Sequence, residues 1–304
     1  MSMQYDLIII GGGPAGLTAA TYARRAGKSV LVLEKAAFGG QITWSPKVEN
    51  FPGDLSVSGN ELGDRFLDQA MSQGTEVELE EVTSVEKTDN GFQVLTDSGL
   101  SYSSRTVILA TGAKPRMLGL PREEDFIGNG ISFCAVCDGA FYNSKTVAVY
   151  GGGNSALQDA LLLSETCSKI YLIHRRSTFR GESALVDALK ARPNVTMLME
   201  TTIQSLQGEG ELSSVQLNCA GREELLPIDG LFVAIGHEPD LAAFAPLLSL
   251  DQAGYAHSGE DCLTPTPGLF VAGDCRAKSV RQVTTAAADG SVAALAACSY
   301  LDAV

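Results

Sequence analysis

The chain has 304 residues, a length that corresponds to roughly two domains of ordinary size. Its 36 acidic and 22 basic residues give a formal charge of −14, which disfavours binding to nucleic acid and to anionic membrane surfaces. Hydrophobic residues make up 45% of the chain and charged residues 19%, which excludes a disordered protein. The first apolar run, residues 7–10, is too short for a signal-peptide core or a membrane span, so we expect a soluble, cytoplasmic protein.

The opening segment predicts a strand, a glycine turn, a helix and a second strand. Residues 7–10 are continuously apolar, residues 17–26 are rich in alanine, and residues 30–33 are apolar again. The turn fits the G-x-G-x-x-G pattern of dinucleotide-binding domains, and an acid at the end of the second strand can accept a hydrogen bond from a ribose hydroxyl. These residues are Gly11, Gly13, Gly16 and Glu34.

The same order of elements recurs from residue 146 onward. A strand at residues 146–150 leads to the G-x-G-x-x-A variant of the turn, followed by a helix at 157–164 and a strand at 169–173. Because the pattern occurs only twice, it predicts two nucleotide-binding domains rather than a repeat array. The residues of the second turn are Gly151, Gly153 and Ala156.

The residues after the second strand of each unit differ in charge. The first unit has Glu34, whereas the second has His174, Arg175 and Arg176, with Arg180 close behind. An acid at this place would repel a 2′-phosphate, and guanidinium groups would bind it. The contrast favours FAD at the first site and NADPH, rather than NADH, at the second. A solvated basic loop is the alternative interpretation of the arginines.

The rest of the chain predicts how the two domains are connected. Residues 91–96 favour a short antiparallel strand, residues 105–110 a buried strand, and residues 281–299 a long alanine-rich helix. The C-terminal part is too short to fold alone, so we expect it to complete the first domain. The predicted fold is α/β, with two Rossmann-like, three-layer ββα domains. The FAD-binding domain would comprise residues 1–113 and 241–304, and the NADPH-binding domain residues 114–240.

Among seven cysteines, only Cys134 and Cys137 lie close together, in a C-x-x-C followed by Asp138. One such pair cannot supply four zinc ligands, and no second pair has suitable spacing, so we expect no metal site. A vicinal pair of this spacing is typical of redox catalysis, in which Asp138 could supply or remove a proton. An inert buried pair is the alternative. The other five cysteines are expected to be small core residues.

Nine short blocks of sequence together resemble the low-molecular-weight, bacterial-type thioredoxin reductases, class II of the pyridine nucleotide-disulfide oxidoreductases. The position of the cysteine pair is the most telling feature. It stands just before the second glycine turn, whereas in relatives of glutathione reductase it follows the first. The blocks are residues 11–16, 39–41, 48–50, 110–112, 134–139, 151–156, 174–180, 273–274 and 281–282.

The resemblance implies a set of cofactor-binding residues for each domain. Residues 34–41 would contact the adenosine and pyrophosphate of FAD, Asn50 the flavin region, and Asp274 the ribitol, with Arg281 and Gln282 near the isoalloxazine. The residues expected at FAD are Gly11, Gly13, Pro14, Ala15, Gly16, Glu34, Lys35, Gly39, Gly40, Gln41, Asn50, Ala110, Thr111, Gly112, Gly273, Asp274, Arg281 and Gln282. Those expected at NADPH are Gly151, Gly153, Asn154, Ser155, Ala156, His174, Arg175, Arg176 and Arg180.

The resemblance also implies a reaction. Hydride would pass from NADPH to FAD, the electron pair to the Cys134–Cys137 disulfide, and then to oxidised thioredoxin. By analogy Cys137 faces the flavin and Cys134 attacks the protein substrate. Because the cysteines and the NADPH site share one domain, we expect that domain to rotate about linkers near residues 113–115 and 239–241. The resemblance further implies a homodimer.

Three other functions remain as alternatives. A ferredoxin-fed thioredoxin reductase of the same fold would lack the second glycine turn and the arginines. The flavoprotein component of a peroxide-reducing system would normally carry an additional N-terminal redox domain. A non-catalytic flavin-binding sensor would need neither the cysteine pair with Asp138 nor an intact NADPH site. The residues present here favour the NADPH-dependent reductase over all three.

Overall fold

The structure, a computed structural model, describes residues 4–303. The chain forms two compact units, one made of residues 4–114 and 238–303 and the other of residues 115–237. The second unit is therefore inserted into the first. The observed boundaries lie one residue and three residues from the sequence-based ones.

The first part of the chain alternates strands with two helices. The apolar runs predicted as strands form β1, β2 and the end of β6. The elements are β1 (Gln4–Ile10), α1 (Pro14–Arg25), β2 (Val30–Glu34), α2 (Gly59–Ser72), β3 (Glu76–Leu79), β4 (Val82–Thr88), β5 (Gly91–Thr96), β6 (Ser101–Leu109) and β7 (Ala113–Pro115).

The remaining elements include the inserted unit and the C-terminal helix. They are β8 (Ile131–Ser132), α3 (Ala135–Asp138), β9 (Thr146–Gly151), α4 (Asn154–Ser164), β10 (Lys169–Ile173), α5 (Ser183–Lys190), β11 (Val195–Leu198), β12 (Thr201–Gln207), β13 (Ser214–Cys219), β14 (Arg222–Pro227), β15 (Gly230–Ala234), β16 (His237–Pro239), β17 (Leu269–Val271) and α6 (Val283–Ala303).

The first unit is built on a seven-stranded sheet in the order β3-β2-β1-β6-β5-β4, with β17 also paired to β6. Strands β1, β2, β3 and β17 run parallel to β6 or to its parallel neighbours, whereas β4, β5 and β6 pair antiparallel. Leu7, Ile8 and Ile9 are fully buried, because both faces of β1 are covered. Because side chains on both faces are buried, these positions of β1 are all apolar and do not alternate with polar residues.

Helices α1 and α6 pack against each other through small residues on one face of this sheet. A Cβ atom on Gly290 would lie 2.1 Å from the carbonyl oxygen of Ala15, so the two backbones approach to a distance that only glycine permits. The buried face of α6 is otherwise lined by alanines, including Ala293, Ala294 and Ala297. This contact fixes the N-terminal turn of α1.

The C-terminal helix differs from its predicted extent. It begins at Val283, two residues later than predicted, and ends at Ala303, four residues later. Gln282 is the residue before the helix, because its carbonyl oxygen accepts from the Ala286 amide at 2.9 Å and its own amide donates to Thr285 Oγ1 at 3.1 Å, as in one half of a capping box. The end moves because Leu301 is buried and extends the packed face.

The inserted unit has three layers. Its central sheet is parallel throughout, in the order β11-β10-β9-β15-β8. Helix α4 covers one face with Ala156, Leu157, Ala160 and Leu163, and the antiparallel sheet β12-β13-β14 covers the other. The prediction of two α/β units with parallel, dinucleotide-binding-type sheets is confirmed.

The two chain crossings between the units are β7 and β16, which pair with each other as a two-stranded sheet. Each crossing is therefore extended and hydrogen-bonded to the other. Among residues 4–303, no helix is long and apolar enough to span a membrane.

Candidate functional site

Four parallel strands of the first unit end at one edge of the sheet and bring distant residues together there. Because β1, β2, β6 and β17 run in the same direction, the residues that follow them share this carboxyl edge. This is the edge at which open α/β sheets bind their ligands. The residues placed here are Gly11, Glu34, Ala110 and Gly273 with their neighbours.

The first glycine turn is shaped by close backbone contacts. A Cβ atom on Gly16 would lie 1.9 Å from the carbonyl oxygen of Gly11, and one on Gly11, whose φ is +112°, would lie 2.3 Å from that of Ala110. Gly13 precedes α1 and has no side chain with which to cap it, and Pro14 is its first residue. The N–H groups of Ala15 and Gly16 thus have no partner within the helix, as an anion-binding helix end requires.

Glu34 is held by two backbone hydrogen bonds. The Gly12 amide donates to Oε2 at 2.7 Å and the Ala36 amide to Oε1 at 2.9 Å. Both carboxylate oxygens keep a further lone pair for a hydroxyl donor. The side chain is therefore oriented beside the turn in the way a ribose contact needs.

Residues 39 and 40 lie directly against the glycine turn. The Gly39 amide donates to the carbonyl oxygen of Gly12 at 2.8 Å, and a Cβ on Gly40 would lie 3.1 Å from the Gly13 Cα. Lys35 has a different environment, because its ammonium forms ion pairs with Asp240 and, at 3.7 Å, with Glu81. The Lys35 ammonium therefore interacts with these two carboxylates.

The remaining predicted residues of this unit form smaller groups along the same edge. Gln41 Nε2 donates to the carbonyl oxygen of Ala113 at 2.9 Å, and Asn50 Nδ2 donates to Gln282 Oε1 at 3.2 Å. The pair Asn50 and Gln282 is thus brought together from opposite ends of the chain. The turn after β6 contains Ala110, Thr111 and Gly112, the last with a φ of +71°.

Asp274 carries a buried oxygen that lacks a hydrogen bond. Within residues 4–303, Oδ1 accepts none, although Lys278 Nζ lies 3.4 Å away as an ion-pair partner. Burial raises the pKa of Asp274, and Lys278 and Arg281 oppose that rise. Arg281 donates from Nε to the carbonyl oxygen of Asp274 at 3.3 Å and stacks over the Tyr255 ring at 4.2 Å.

These features fit FAD. An uncapped helix end suits a pyrophosphate, and the anchored Glu34 suits a ribose. The Asp274 oxygen that accepts no hydrogen bond suits a hydroxyl donor such as ribitol. The glycines at positions 13 and 40 leave the space between them free of side chains.

The second glycine turn has a similar construction on the sheet of the inserted unit. A Cβ atom on Gly151 would lie 2.3 Å from the carbonyl oxygen of Ala234, whereas nothing lies within 4 Å of a Cβ on Gly153. Gly153 precedes α4, whose first turn contains Asn154, exposed Ser155 and fully buried Ala156. This helix end is again without a capping side chain and fits a pyrophosphate.

His174 lies behind the turn rather than at its open side. A Cβ atom on Gly152 would lie 2.2 Å from the imidazole, which stacks on Phe179 with ring centroids 5.3 Å apart. Its Nε2 lies 3.1 Å from the carbonyl oxygen of Thr178. Burial lowers the pKa of His174, and the neighbouring arginines lower it further. The residue is thus a neutral support for the loop that follows it.

That loop presents three arginines to solvent. The amides of Arg180 and Gly181 both donate to the carbonyl oxygen of Gly152, at 2.7 and 3.2 Å, and so close the loop onto the glycine turn. Arg175, Arg176 and Arg180 are exposed, and none forms an ion pair with another described residue. In a chain of charge −14, three unpaired guanidiniums beside a helix N-terminus fit a 2′-phosphate.

The Asn154 side chain forms two hydrogen bonds with Glu182 of the same unit. Its Nδ2 donates to Glu182 Oε1 at 2.9 Å, and its Oδ1 accepts from the Glu182 amide at 2.8 Å. This reciprocal pair ties the start of α4 to the residue before α5. The side chain therefore positions the nucleotide-binding turn.

The cysteine pair follows β8 at the same carboxyl edge of that sheet. Cys134 and Cys137 form a disulfide, and Cys134 caps the short helix α3 by accepting a hydrogen bond from the Cys137 amide at 3.2 Å. Both cysteines are half-buried, and Val136 between them is 62% exposed. The disulfide is therefore presented at the surface of this unit on a single helical turn.

Asp138 is linked to the pair through Ser132. The Ser132 hydroxyl donates to Asp138 Oδ2 at 2.6 Å and accepts from the Cys134 amide at 3.1 Å. Asp138 Oδ1 is buried and has no hydrogen-bond partner among the described residues. Burial raises the pKa of Asp138, and the Ser132 hydrogen bond opposes it. A carboxyl group whose pKa is raised by burial is suited to proton transfer beside a thiol pair.

The chain is similar over its whole length to known proteins. The pattern that defines the pyridine nucleotide-disulphide oxidoreductase family matches residues 5–290. The thioredoxin reductase of Treponema pallidum is 41% identical over 305 residues, covering 99% of each chain. The chain belongs to this family. Within it, the chain is one of the bacterial-type thioredoxin reductases.

Solved structures of the family agree with the fold described above. The thioredoxin reductase of Streptococcus pyogenes is 36% identical, covers all of both chains and superposes with a TM-score of 0.94. That of Lactococcus lactis, described as its FR conformation, is 32% identical and covers 99% of this chain and all of its own, with a TM-score of 0.69.

Several polar residues near these family sites were not predicted from the sequence. Ser132 precedes the cysteine pair by two positions, and only its contacts reveal its role. Burial raises the pKa of Asp159, on α4, to about 6. Asp289 is the sole charged residue of α6 before Leu301, and that isolation in an alanine-rich helix was a usable signal. Among residues 4–303, no cluster of His, Cys, Asp or Glu suits a metal ion.

Proposed function

We propose that the protein is an NADPH-dependent flavoprotein that reduces the disulfide of oxidised thioredoxin. The observation that carries the proposal is the placement of the disulfide. Cys134–Cys137, with Asp138 beside it, lies on the same sheet edge as a glycine turn flanked by three unpaired arginines. The relatives named thioredoxin reductase, similar over the full length, support the substrate class.

FAD is held by the unit made of residues 4–114 and 238–303. The N-terminal turn of α1 binds the pyrophosphate, Glu34 a ribose hydroxyl, and Asp274 the ribityl chain, with Asn50, Arg281 and Gln282 near the ring. When bound, FAD supplies a two-electron carrier between NADPH and the disulfide. The inserted unit holds NADPH at the N-terminus of α4, with Arg175, Arg176 and Arg180 around the 2′-phosphate.

The cysteines and Asp138 perform the thiol chemistry. Two electrons break the S–S bond and leave two thiolates, and one proton, taken up from solvent through Asp138, converts one of them into a thiol. Cys134, as a thiolate, then attacks one sulfur of the thioredoxin disulfide, forming a mixed disulfide and releasing a thioredoxin thiolate that takes up a proton. Attack by the Cys137 thiolate on Cys134 Sγ re-forms the internal disulfide and releases reduced thioredoxin.

The oxidation state of both cofactors can be followed directly, which gives the main test. Anaerobic titration of the FAD-loaded protein with NADPH should bleach the flavin and take up two electron pairs, one for FAD and one for the disulfide. NADH should bleach it only at much higher concentration. The absence of bleaching by either nucleotide would favour the ferredoxin-fed or sensor alternatives.

The arginine loop generates a prediction about nucleotide choice. The triple variant R175A/R176A/R180A should raise the KM for NADPH by at least about 10- to 100-fold, because charge-assisted hydrogen bonds to phosphate are each worth about 1.5–3 kcal/mol and the loss of even one accounts for that factor. The KM for NADH should change little. Arg222→Ala, an exposed arginine on β14 of the same unit, is the control. Equal loss for NADPH and NADH would contradict a 2′-phosphate contact.

Asp138 generates a prediction about pH. Asp138→Asn should slow thioredoxin reduction by about 100-fold or more, while flavin bleaching by NADPH stays at the wild-type rate. Ser132→Ala removes a hydrogen bond that stabilises the carboxylate. The pKa of Asp138 then rises further, and the limb of the kcat profile that reports Asp138 should move to higher pH. A limb that stays in place, or moves to lower pH, would contradict this role.

We also propose that the inserted unit rotates between two half-reactions. The disulfide and the arginine loop are fixed on one hydrogen-bonded sheet, so each must reach the flavin in turn, and the paired crossings β7 and β16 are where the chain can bend. The designation of the Lactococcus lactis structure as a particular conformation is consistent with this. Cross-linking the two units should stop turnover and leave one half-reaction intact; undiminished turnover would refute the rotation.

A homodimer and a cytoplasmic location complete the proposal. The homodimer follows from the family resemblance, and five free cysteines suit a reducing compartment. Sedimentation equilibrium should give twice the chain mass of 31.9 kDa; a monomer would contradict the dimer.

A further inference from the structure

A second group of charged residues lies behind the turn that carries Asp274. Arg276 Nη1 lies 2.6 Å from Asp289 Oδ1, and Lys278 Nζ lies 3.0 Å from Asp289 Oδ2 and 3.4 Å from Asp274 Oδ1. The four side chains form a chain of alternating charge from Arg276 to Asp274. Arg276, Asp289 and Lys278 have no role in the proposed binding of FAD or NADPH.

This network is buried, and removing its charged groups from water costs free energy. The side chains of Arg276, Asp289 and Lys278 are 4%, 12% and 14% exposed. Replacing such ion pairs by well-packed apolar residues is often neutral or stabilising, so stability alone does not explain them. Their geometry indicates another reason.

Asp289 anchors the turn itself. Its Oδ2 accepts a hydrogen bond from the Gly273 amide at 3.0 Å, in addition to the Lys278 ion pair. Arg276 in turn donates to the carbonyl oxygens of Ser258 and Gly259. A carboxylate from the middle of α6 therefore holds both the backbone before Asp274 and the cation beside it.

Lys278 opposes the effect of burial on Asp274. The charged groups that face this carboxylate are Lys278, Arg281 and Asp289, and α1 packs against the same turn through Ala15, which carries no charge. Burial favours the neutral carboxylic acid, and the Lys278 cation favours the carboxylate. An ionised carboxylate accepts stronger hydrogen bonds from hydroxyl groups than a neutral acid does.

We propose that Lys278 and Asp289 are positioning residues of the flavin site. Asp289 orients Lys278 and the Gly273 amide, and Lys278 favours the carboxylate form of Asp274, whose Oδ1 can then accept hydrogen bonds from a polyhydroxylated chain. The inference rests on the proposed binding of FAD by this unit. The protein would then retain FAD at low pH because Lys278 keeps Asp274 in its carboxylate form.

The test is the pH dependence of FAD release from the purified holoenzyme, measured by FAD fluorescence after dilution between pH 5.5 and 8.5. The wild type should change little over this range. Lys278→Met should resemble it at pH 8.5 and release FAD at least 10-fold more readily at pH 6, because loss of the cation raises the pKa of Asp274. Lys278→Gln keeps a hydrogen-bond donor without the charge, and its FAD release should depend on pH as that of Lys278→Met does. It replaces Lys278→Met in the test if the methionine variant does not fold.

Two further variants separate positioning from general stability. Lys28→Met is the matched control, because Lys28 is 16% exposed, pairs with Asp302 and lies in the same unit; its profile should match the wild type. The double variant D274N/K278M lacks the Asp274 carboxylate while keeping Asp289 paired with Arg276, and it should lose the pH dependence.

The outcomes distinguish this inference from the proposed function. A flat profile for Lys278→Met and Lys278→Gln, even with a lowered unfolding temperature, would overturn the positioning role. A wild-type protein that binds no FAD at any pH would instead overturn the proposed function. Stronger release at high pH than at low pH would overturn the assigned direction of the Asp274 titration.

Discussion

The binding edge of the first unit depends on backbones that approach more closely than a side chain allows. Gly16 meets the carbonyl oxygen of Gly11, and Gly290 meets that of Ala15. Helix α1 is thus held between β1 and α6, and its uncapped N-terminus is fixed where β1 ends. A pre-positioned row of N–H groups needs no rearrangement to receive an anion. Glu34 and the Gly39-Gly40 segment then take their places from this turn.

The inserted unit has a similar close-packed glycine turn, but here the turn packs against the side chain of His174. Gly151 contacts the carbonyl oxygen of Ala234, while Gly152 accommodates the imidazole of His174. The ring fills the place behind the turn, and the loop after it closes by hydrogen bonds to Gly152. The result is a positive loop over an uncapped helix end, in contrast to the acid of the first unit. Two turns of nearly the same backbone therefore differ in the charge that follows the next strand.

Local spacing accounts for what the sequence predicted correctly. The two glycine turns and the strands and helices around them are encoded within short windows, where strand and helix periods decide the outcome. Contacts between distant segments were not predictable in this way. The ion pair of Lys35 with Asp240 joins residues 205 positions apart, and the start of α6 is decided by its cap. The buried network of Arg276, Lys278 and Asp289 depends on α6 folding back over the turn.

A rigid sheet also limits how the inserted unit can act. Strand β8, which leads to the cysteines, and β10, which leads to the arginines, are separated by β15 and β9. Three strand spacings of about 4.8 Å place the two ends roughly 14 Å apart, and the hydrogen-bonded ladders hold that separation. No local change can exchange the positions of disulfide and nucleotide loop. Any alternation between them must come from the whole unit, and the chain leaves it only at β7 and β16.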